Sequence, residues 1–145
     1  MRVDFYLNSD TGPDARLRLA CRLVEKAYRL GHRVYIHAAS RQQAQRLDDL
    51  LWTFRAGSFV PHAQVSQSRA QDHPVLIGDD GNAAQGADLL VNLSSSVPSF
   101  YSAFRRVIEV VGEDETERNS ARQRFRFYRD QGLSPQSHRV SGTAP

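Results

Sequence analysis

The chain has little of several features that would place it in a specialised class of protein. Its one cysteine, Cys21, excludes a disulfide within the chain and fits a reducing cytoplasm. It contains no run of about 18 apolar residues, which a membrane-spanning helix requires. Its charged, strand-like first residues do not resemble the apolar core of a secretory signal. We therefore expect a cytoplasmic globular protein that makes no contact with a membrane.

Motifs for nucleotides, metal ions and nucleophilic catalysis are also missing. The first strand-to-helix loop contains only Gly12, followed by Pro13, where a dinucleotide fold needs G-x-G-x-x-G. A P-loop needs a lysine after its glycines, but the one lysine, Lys26, lies within a predicted helix. The five histidines share no metal-ligand spacing, and no serine occupies a G-x-S-x-G elbow. We expect no cofactor, no metal ion and no catalysis.

Lysine is almost absent, since 18 of the 19 basic residues are arginine. The base composition of a genome can produce such a bias. Recognition of carboxylates or phosphates can also produce it, because the guanidinium fork matches their geometry. The positions of the arginines must decide between these explanations.

Short apolar segments alternate with helical patterns along the chain. Strands are predicted at residues 3–7, 33–37, 58–60, 74–77, 88–93 and 107–111. Helices are predicted from Pro13 to Gly31, from Ser40 to Phe54, briefly after Ser96, and over 114–131. This order predicts a Rossmann-like three-layer α/β sandwich, with a mostly parallel open sheet and helices on both faces. We expect one domain over 1–132 and a disordered tail over 133–145, where no apolar stripe occurs.

The last predicted helix carries the clearest sign of function. Its acidic first turn and basic last turn complement the helix dipole, which accounts for part of the pattern. Arg118, Arg122, Phe125 and Arg129 recur at spacings of four, three and four, so they share one side of the helix. Val111, at the end of the preceding strand, is expected beside them. An acidic peptide ending in an aromatic residue would fit such an apolar notch, with its carboxylates on the arginine forks.

Several segments resemble the chi subunit family of bacterial DNA polymerase III, an accessory component of the clamp-loader assembly. The resemblance covers roughly residues 1 to 132. It is carried by Leu47 to His62, Phe5-Tyr6-Leu7, Arg33-Val34-Tyr35-Ile36, Pro74-Val75-Leu76-Ile77, and Ala121 to Phe125 through Tyr128-Arg129.

The resemblance implies a non-enzymatic adaptor that links the clamp loader to single-stranded DNA-binding protein. In the family the last helix binds that protein's acidic C-terminal tail, which ends in Phe with a free carboxylate. The tail-binding positions fall on Val111, Arg118, Arg122 and Phe125 of this chain. Arg118 stands where the family often has lysine, which keeps the charge. Phe125 stands where tyrosine is common, so a hydroxyl contact is lost while the ring remains.

A second surface is implied around Trp52 and Phe59. In the family this region holds the psi subunit, which tethers chi to the clamp loader, and a repair helicase is an alternative partner there. Burial of Trp52 in the core at the end of its helix is an equally good explanation of the residue alone, because large aromatic side chains are usually mostly buried.

Two other functions stay open from the residues. Arginines interleaved with Phe125, Phe127 and Tyr128 are compatible with direct binding of single-stranded nucleic acid, although the acidic first turn of the same helix repels phosphate. A nucleotide-dependent enzyme with a degenerate phosphate loop is the third candidate.

Overall fold

The computed structural model describes residues 1–67, 70–80 and 86–140. Within these residues the chain forms seven strands and three α-helices. The strands are β1 Arg2–Asn8, β2 Val34–His37, β3 His62–Gln64, β4 Val75–Gly78, β5 Leu89–Asn92, β6 Arg106–Val111 and β7 Gln136–Val140. The helices are α1 Ala15–Arg29, α2 Arg41–Thr53 and α3 Glu115–Asp130, and short 3-10 turns occur at Ala70–Asp72 and Tyr101–Ala103.

The strands form one open sheet in the order β3-β4-β2-β5-β6-β1-β7, and every neighbouring pair is parallel. One core cluster joins the sheet to α1 and α2, and a second joins it to α3. All four residues of β5 are buried, as expected for a parallel strand covered on both faces. The predicted α/β sandwich with helices on both faces is therefore confirmed.

The start of α2 and the end of α1 are explained by the residues that occur there. At the start of α2 the Ser40 hydroxyl accepts a hydrogen bond from the Gln43 amide at 3.1 Å, and the Gln43 side chain accepts one from the Ala39 amide at 2.7 Å. After α1, Gly31 adopts a positive φ of 88°, which ends the helix and turns the chain toward β2.

Two predicted elements are wrong. The strand expected at 58–60 occurs instead at His62–Gln64, because Pro61 has no amide hydrogen to contribute to the sheet. The helix expected after Ser96 is only the 3-10 turn Tyr101–Ala103. The Ser96 carbonyl accepts hydrogen bonds from the side chains of Asn92 at 3.0 Å and Ser94 at 2.8 Å, which hold this segment in a tight turn.

The expected disordered tail also needs correction, because Gln136–Val140 forms the edge strand β7 beside β1. On one face of the sheet the His138 ring stacks on Tyr6, with centroids 4.8 Å apart, and Nε2 of His138 lies 2.9 Å from Oδ1 of the buried Asp4. These contacts and the backbone ladder order a strand that has no apolar alternation. Residues 141–145 lie outside the described part of the chain.

A buried polar network fastens α3 to the sheet. The Glu109 carboxylate, in the middle of β6, accepts hydrogen bonds from Arg124 Nε at 2.9 Å and from the Tyr128 hydroxyl at 2.7 Å. The Asn92 amide donates to both of its oxygens, at 3.1 and 3.0 Å. Burial raises the pKa of Glu109 above its usual value, and the charge of Arg124 opposes part of that shift. Such a pair is costly to break, because the remaining partner keeps a buried charge.

We expect Glu109→Ala to lower the free energy of unfolding by about 3–5 kcal/mol, since Arg124 loses its buried partner. Urea denaturation followed by circular dichroism measures the change. Glu113→Ala removes a carboxylate from an exposed position and is the matched control, with a change within about 0.5 kcal/mol. Equal unfolding midpoints for the two variants would contradict this account of how α3 is held.

Candidate functional site

A cavity of about 230 Å³ lies between α3 and β7. Its lining combines apolar side chains with three arginines and one serine. The lining residues are Phe5, Leu7, Arg118, Ala121, Arg122, Phe125, Ser137 and Arg139.

The floor of the cavity is aromatic and aliphatic. Phe125 is half-buried, and its ring centroid lies 5.2 Å from that of Phe5, with the ring planes tilted by 53°. Leu7 of β1 and Ala121 of α3 complete the apolar surface. An aromatic side chain from a ligand would pack favourably against tilted rings of this kind.

The cationic side of the cavity includes one arginine in a fixed position. The Arg118 guanidinium group donates to the carbonyl oxygens of Gly112 and Asn8, each at 3.0 Å, so it is anchored to the chain just beyond β6 and to the end of β1. Arg122 is exposed one turn further along α3, and its guanidinium group donates to the Asn119 side chain. These positive charges beside an apolar floor suit a ligand that carries both a ring and carboxylates.

A second candidate surface lies around α2 and β3. Trp52 is 56% exposed and Phe59 is 64% exposed, and their ring centroids are 5.9 Å apart. The His62 ring lies 4.7 Å from Trp52. Trp52 is therefore a surface residue and does not pack in the core. Adjacent exposed aromatic rings are typical of protein-binding surfaces.

Glu25 of α1 supports the loop that carries Phe59. Its carboxylate accepts a hydrogen bond from Nη2 of Arg55 at 2.7 Å and another from the Ser58 hydroxyl. Burial acts to raise the pKa of Glu25, but the hydrogen bonds and positive charge of Arg55, with Ser58 and Arg29, outweigh it and hold the pKa below 4.5. The loop is thus tied to α1 by a carboxylate that stays ionised near neutral pH.

The carboxyl end of the sheet, where a Rossmann-like fold would bind a nucleotide, is acidic. A cavity of about 660 Å³ there is lined by several carboxylates, namely Asp10, Asp14, Glu113, Asp114 and Glu117. Arg16 in the same cavity donates to the Val110 and Leu93 carbonyls at 2.9 and 2.7 Å and lies 2.7 Å from Glu117. This excess of negative charge opposes the binding of phosphate groups.

Comparison with known proteins identifies the family. The family model described as DNA polymerase III chi subunit, HolC, matches residues 1–136. A DNA polymerase III subunit chi of Pseudomonas aeruginosa is 44% identical over 139 residues, covering 96% of each chain. The chain belongs to the DNA polymerase III chi subunit family. The Escherichia coli subunit chi is 32% identical, covering 90% of this chain and 91% of its own, and the Haemophilus influenzae subunit chi is 30% identical, covering 95% and 96%.

Family membership confirms the resemblance found in the sequence. Chi is an accessory subunit of a replicative DNA polymerase, which agrees with a non-catalytic role for this chain. Among the described residues, no cluster of three or more potential metal ligands occurs, and no helix is long and apolar enough to cross a membrane.

The chi-like positions inferred from the sequence are only partly brought together. Arg118, Arg122 and Phe125 line the α3–β7 cavity. Val111 does not line it, because this residue at the end of β6 is 0% exposed and packs beneath the helix. Arg129 is exposed on α3, one turn beyond Phe125, and also lies outside the cavity lining.

Five lining residues were missed by sequence reasoning, and one of them, Ala121, was noted only within a segment that carries the family resemblance. Phe5 and Leu7 were recognised only as parts of a strand, and nothing in that strand indicates which face meets α3. Ser137 and Arg139 fall in the segment expected to be disordered. The signal for them is weak, since an edge strand needs fewer apolar residues than a central one.

We expect Glu25→Gln to reduce the free energy of unfolding by about 1–2 kcal/mol near neutral pH, because charge-assisted hydrogen bonds to Arg55 and Ser58 are weakened. Since the pKa of Glu25 is lower in the folded state, its stabilising effect is present above pH 4.5 and is lost as the pH falls through the folded-state pKa. Urea titrations between pH 3 and 7 measure this. A difference between wild type and Glu25→Gln that does not shrink toward pH 3 would contradict the assignment.

Proposed function

We propose that this chi-family protein links the clamp loader, through a psi subunit, to single-stranded DNA-binding protein, and that it does so by docking the acidic C-terminal tail of that protein in the α3–β7 cavity. The observation that carries the proposal is the cavity itself, in which Arg118 and Arg122 flank an apolar floor containing Phe125. Neither charge nor apolar surface alone would select such a tail.

The cavity matches the chemistry of an acidic peptide that ends in phenylalanine. The side chain of the terminal phenylalanine would pack against Phe125 and Phe5. The free carboxylate of the same residue would bind the arginines on that side of α3. Arg129, one turn further along the helix, would meet acidic residues that precede the ring. Arg118 is already oriented by backbone carbonyls, so little of its freedom is lost on binding.

The Trp52–Phe59 surface is the proposed contact for psi, and a repair helicase is an alternative partner for the same surface. It lies next to β3, at the opposite edge of the sheet from β7. Six strand spacings separate these edges, which is roughly 30 Å. The two partners would therefore bind at the same time without touching. Joining two modest contacts in one protein raises the effective affinity of the assembly.

Direct binding of single-stranded DNA is a weaker candidate. The arginines of α3 favour it, but Glu115 and Glu117 in the first turn and the acidic cavity at the carboxyl end of the sheet oppose phosphate. Direct binding with a steep dependence on salt would support this candidate. A nucleotide-dependent enzyme is the weakest of the three candidate functions, because carboxylates line the place where its phosphate site would lie.

Arg122→Ala is expected to weaken binding of a fluorescent peptide ending in Asp-Ile-Pro-Phe by about 1–3 kcal/mol, the range for a charge-assisted hydrogen bond. Fluorescence anisotropy at low and moderate salt measures it, and wild-type binding should weaken as salt screens the charges. Arg126→Ala removes an exposed arginine from the same helix outside the cavity, so it is the matched control and should bind like wild type.

Two results would remove the proposed tail site. One is undiminished peptide affinity in Arg122→Ala. The other is the absence of any binding by folded wild-type protein, which would leave the Trp52–Phe59 surface as the remaining functional candidate.

Trp52→Ala is expected to weaken binding of psi by at least about 2 kcal/mol, because an exposed tryptophan beside a second ring is the usual composition of an interface hot spot. Calorimetric titration with psi measures this. The tail peptide should bind Trp52→Ala as it binds wild type, since its site lies at the other edge of the sheet. An unchanged affinity for psi would contradict the assignment of the Trp52–Phe59 surface as the psi contact.

A further inference from the structure

The last strand supplies one wall of the cavity. In the register of β7 with β1, Ser137 pairs with Phe5 and Arg139 pairs with Leu7. Side chains of registered partners in a parallel pair point to the same face, and alternate residues share a face. All four therefore face α3, whereas His138 faces the other side, where it contacts Asp4 and Tyr6.

Arg139 thus lies across the cavity from the arginines of α3. Within the described residues, the guanidinium groups of Arg118, Arg122 and Arg139 have no carboxylate partner. Three positive charges from two separate elements surround one apolar floor. A ligand with more than one carboxylate is the complement of this arrangement.

We propose that Arg139 is a further peptide-binding residue and that an acidic peptide is held between α3 and β7 rather than on α3 alone. The inference rests on the proposed function, because it adds a residue to the same site. The bound ligand is a peptide whose carboxylates face both walls of the cavity while its terminal ring covers Phe125. Ser137 lines the same wall and offers a hydroxyl donor.

A consequence is that peptide binding and the docking of β7 are coupled. Arg139 reaches the cavity only while β7 is paired with β1, an edge pairing supported by the His138–Asp4 contact of 2.9 Å. A ligand that binds only the docked strand stabilises that state by mass action. The peptide should therefore slow hydrogen exchange of the β7 amides.

The first test is the affinity of the Asp-Ile-Pro-Phe peptide for Arg139→Ala, Arg139→Lys and the control Arg126→Ala. We expect Arg139→Ala to bind about three- to tenfold more weakly than wild type and with a shallower salt dependence, since one cation is removed. Arg139→Lys should recover part of the affinity because it keeps the charge without the fork. Arg126→Ala should bind like wild type.

Hydrogen exchange of the β7 amides without peptide distinguishes loss of a contact from loss of the strand. The proposal requires that β7 exchange equally slowly in wild type and Arg139→Ala, and that added peptide slow it further in wild type. Equal affinities of Arg139→Ala and Arg126→Ala would overturn the role of Arg139 and leave the proposed function standing. Weaker peptide binding by Arg139→Ala together with fast hydrogen exchange of its β7 amides would also overturn the role of Arg139, because the strand itself would then be lost. Absence of binding by wild type would overturn both.

Discussion

The buried carboxylate of Glu109 is the constraint on which the functional surface depends. Its position in the middle of β6 requires partners for a charge removed from water, and Arg124 and Tyr128 of α3 provide them. Because these two residues must face the sheet, the rotation of α3 about its axis is set. At about 100° per residue, Arg118, Arg122 and Phe125 then lie on the flank that faces β7. The same network, extended through Asn92, holds the turn after β5.

The carboxyl end of the sheet shows how a Rossmann-like frame serves a role without a nucleotide. In such folds the space beyond the strand ends receives phosphate groups. Here two arginines occupy that space and donate to backbone carbonyls instead. Arg16 donates to the carbonyls of Val110 and Leu93, and Arg118 donates to those of Gly112 and Asn8. Several carboxylates line the same end of the sheet. The surfaces proposed to bind partners lie instead at the two edges of the sheet, at β7 and beside β3.

The parts of the fold that depend on apolar periodicity could be predicted from the sequence. The helix predicted between Pro13 and Gly31 occurs as α1, with Ala20, Cys21 and Val24 buried along it, and the strand predicted at 88–93 occurs as the fully buried β5. The edge strand β7 could not be found in this way, because its order comes from pairing with β1 and from the contacts of His138 with Asp4 and Tyr6, which are distant in sequence.

The candidate site was predictable to the extent that it lies on one helix. The spacing of Arg118, Arg122 and Phe125 placed them on a common side, and the structure has them around one cavity. Spacing could not show that Arg124 is buried, since its partner Glu109 belongs to another element. Nor could it show that Val111 lies beneath the helix, or that Arg139 completes the opposite wall, because these facts depend on how strands and helix pack.

The most direct test of the account is a two-dimensional ¹H–¹⁵N NMR titration of the protein with the acidic peptide ending in Asp-Ile-Pro-Phe. We expect the largest shifts on residues of both α3 and β7, around Arg122, Phe125 and Ser137, while the Trp52 indole signal at the other edge of the sheet stays in place. Shifts centred on Trp52, or shifts that spare α3 and β7, would contradict it.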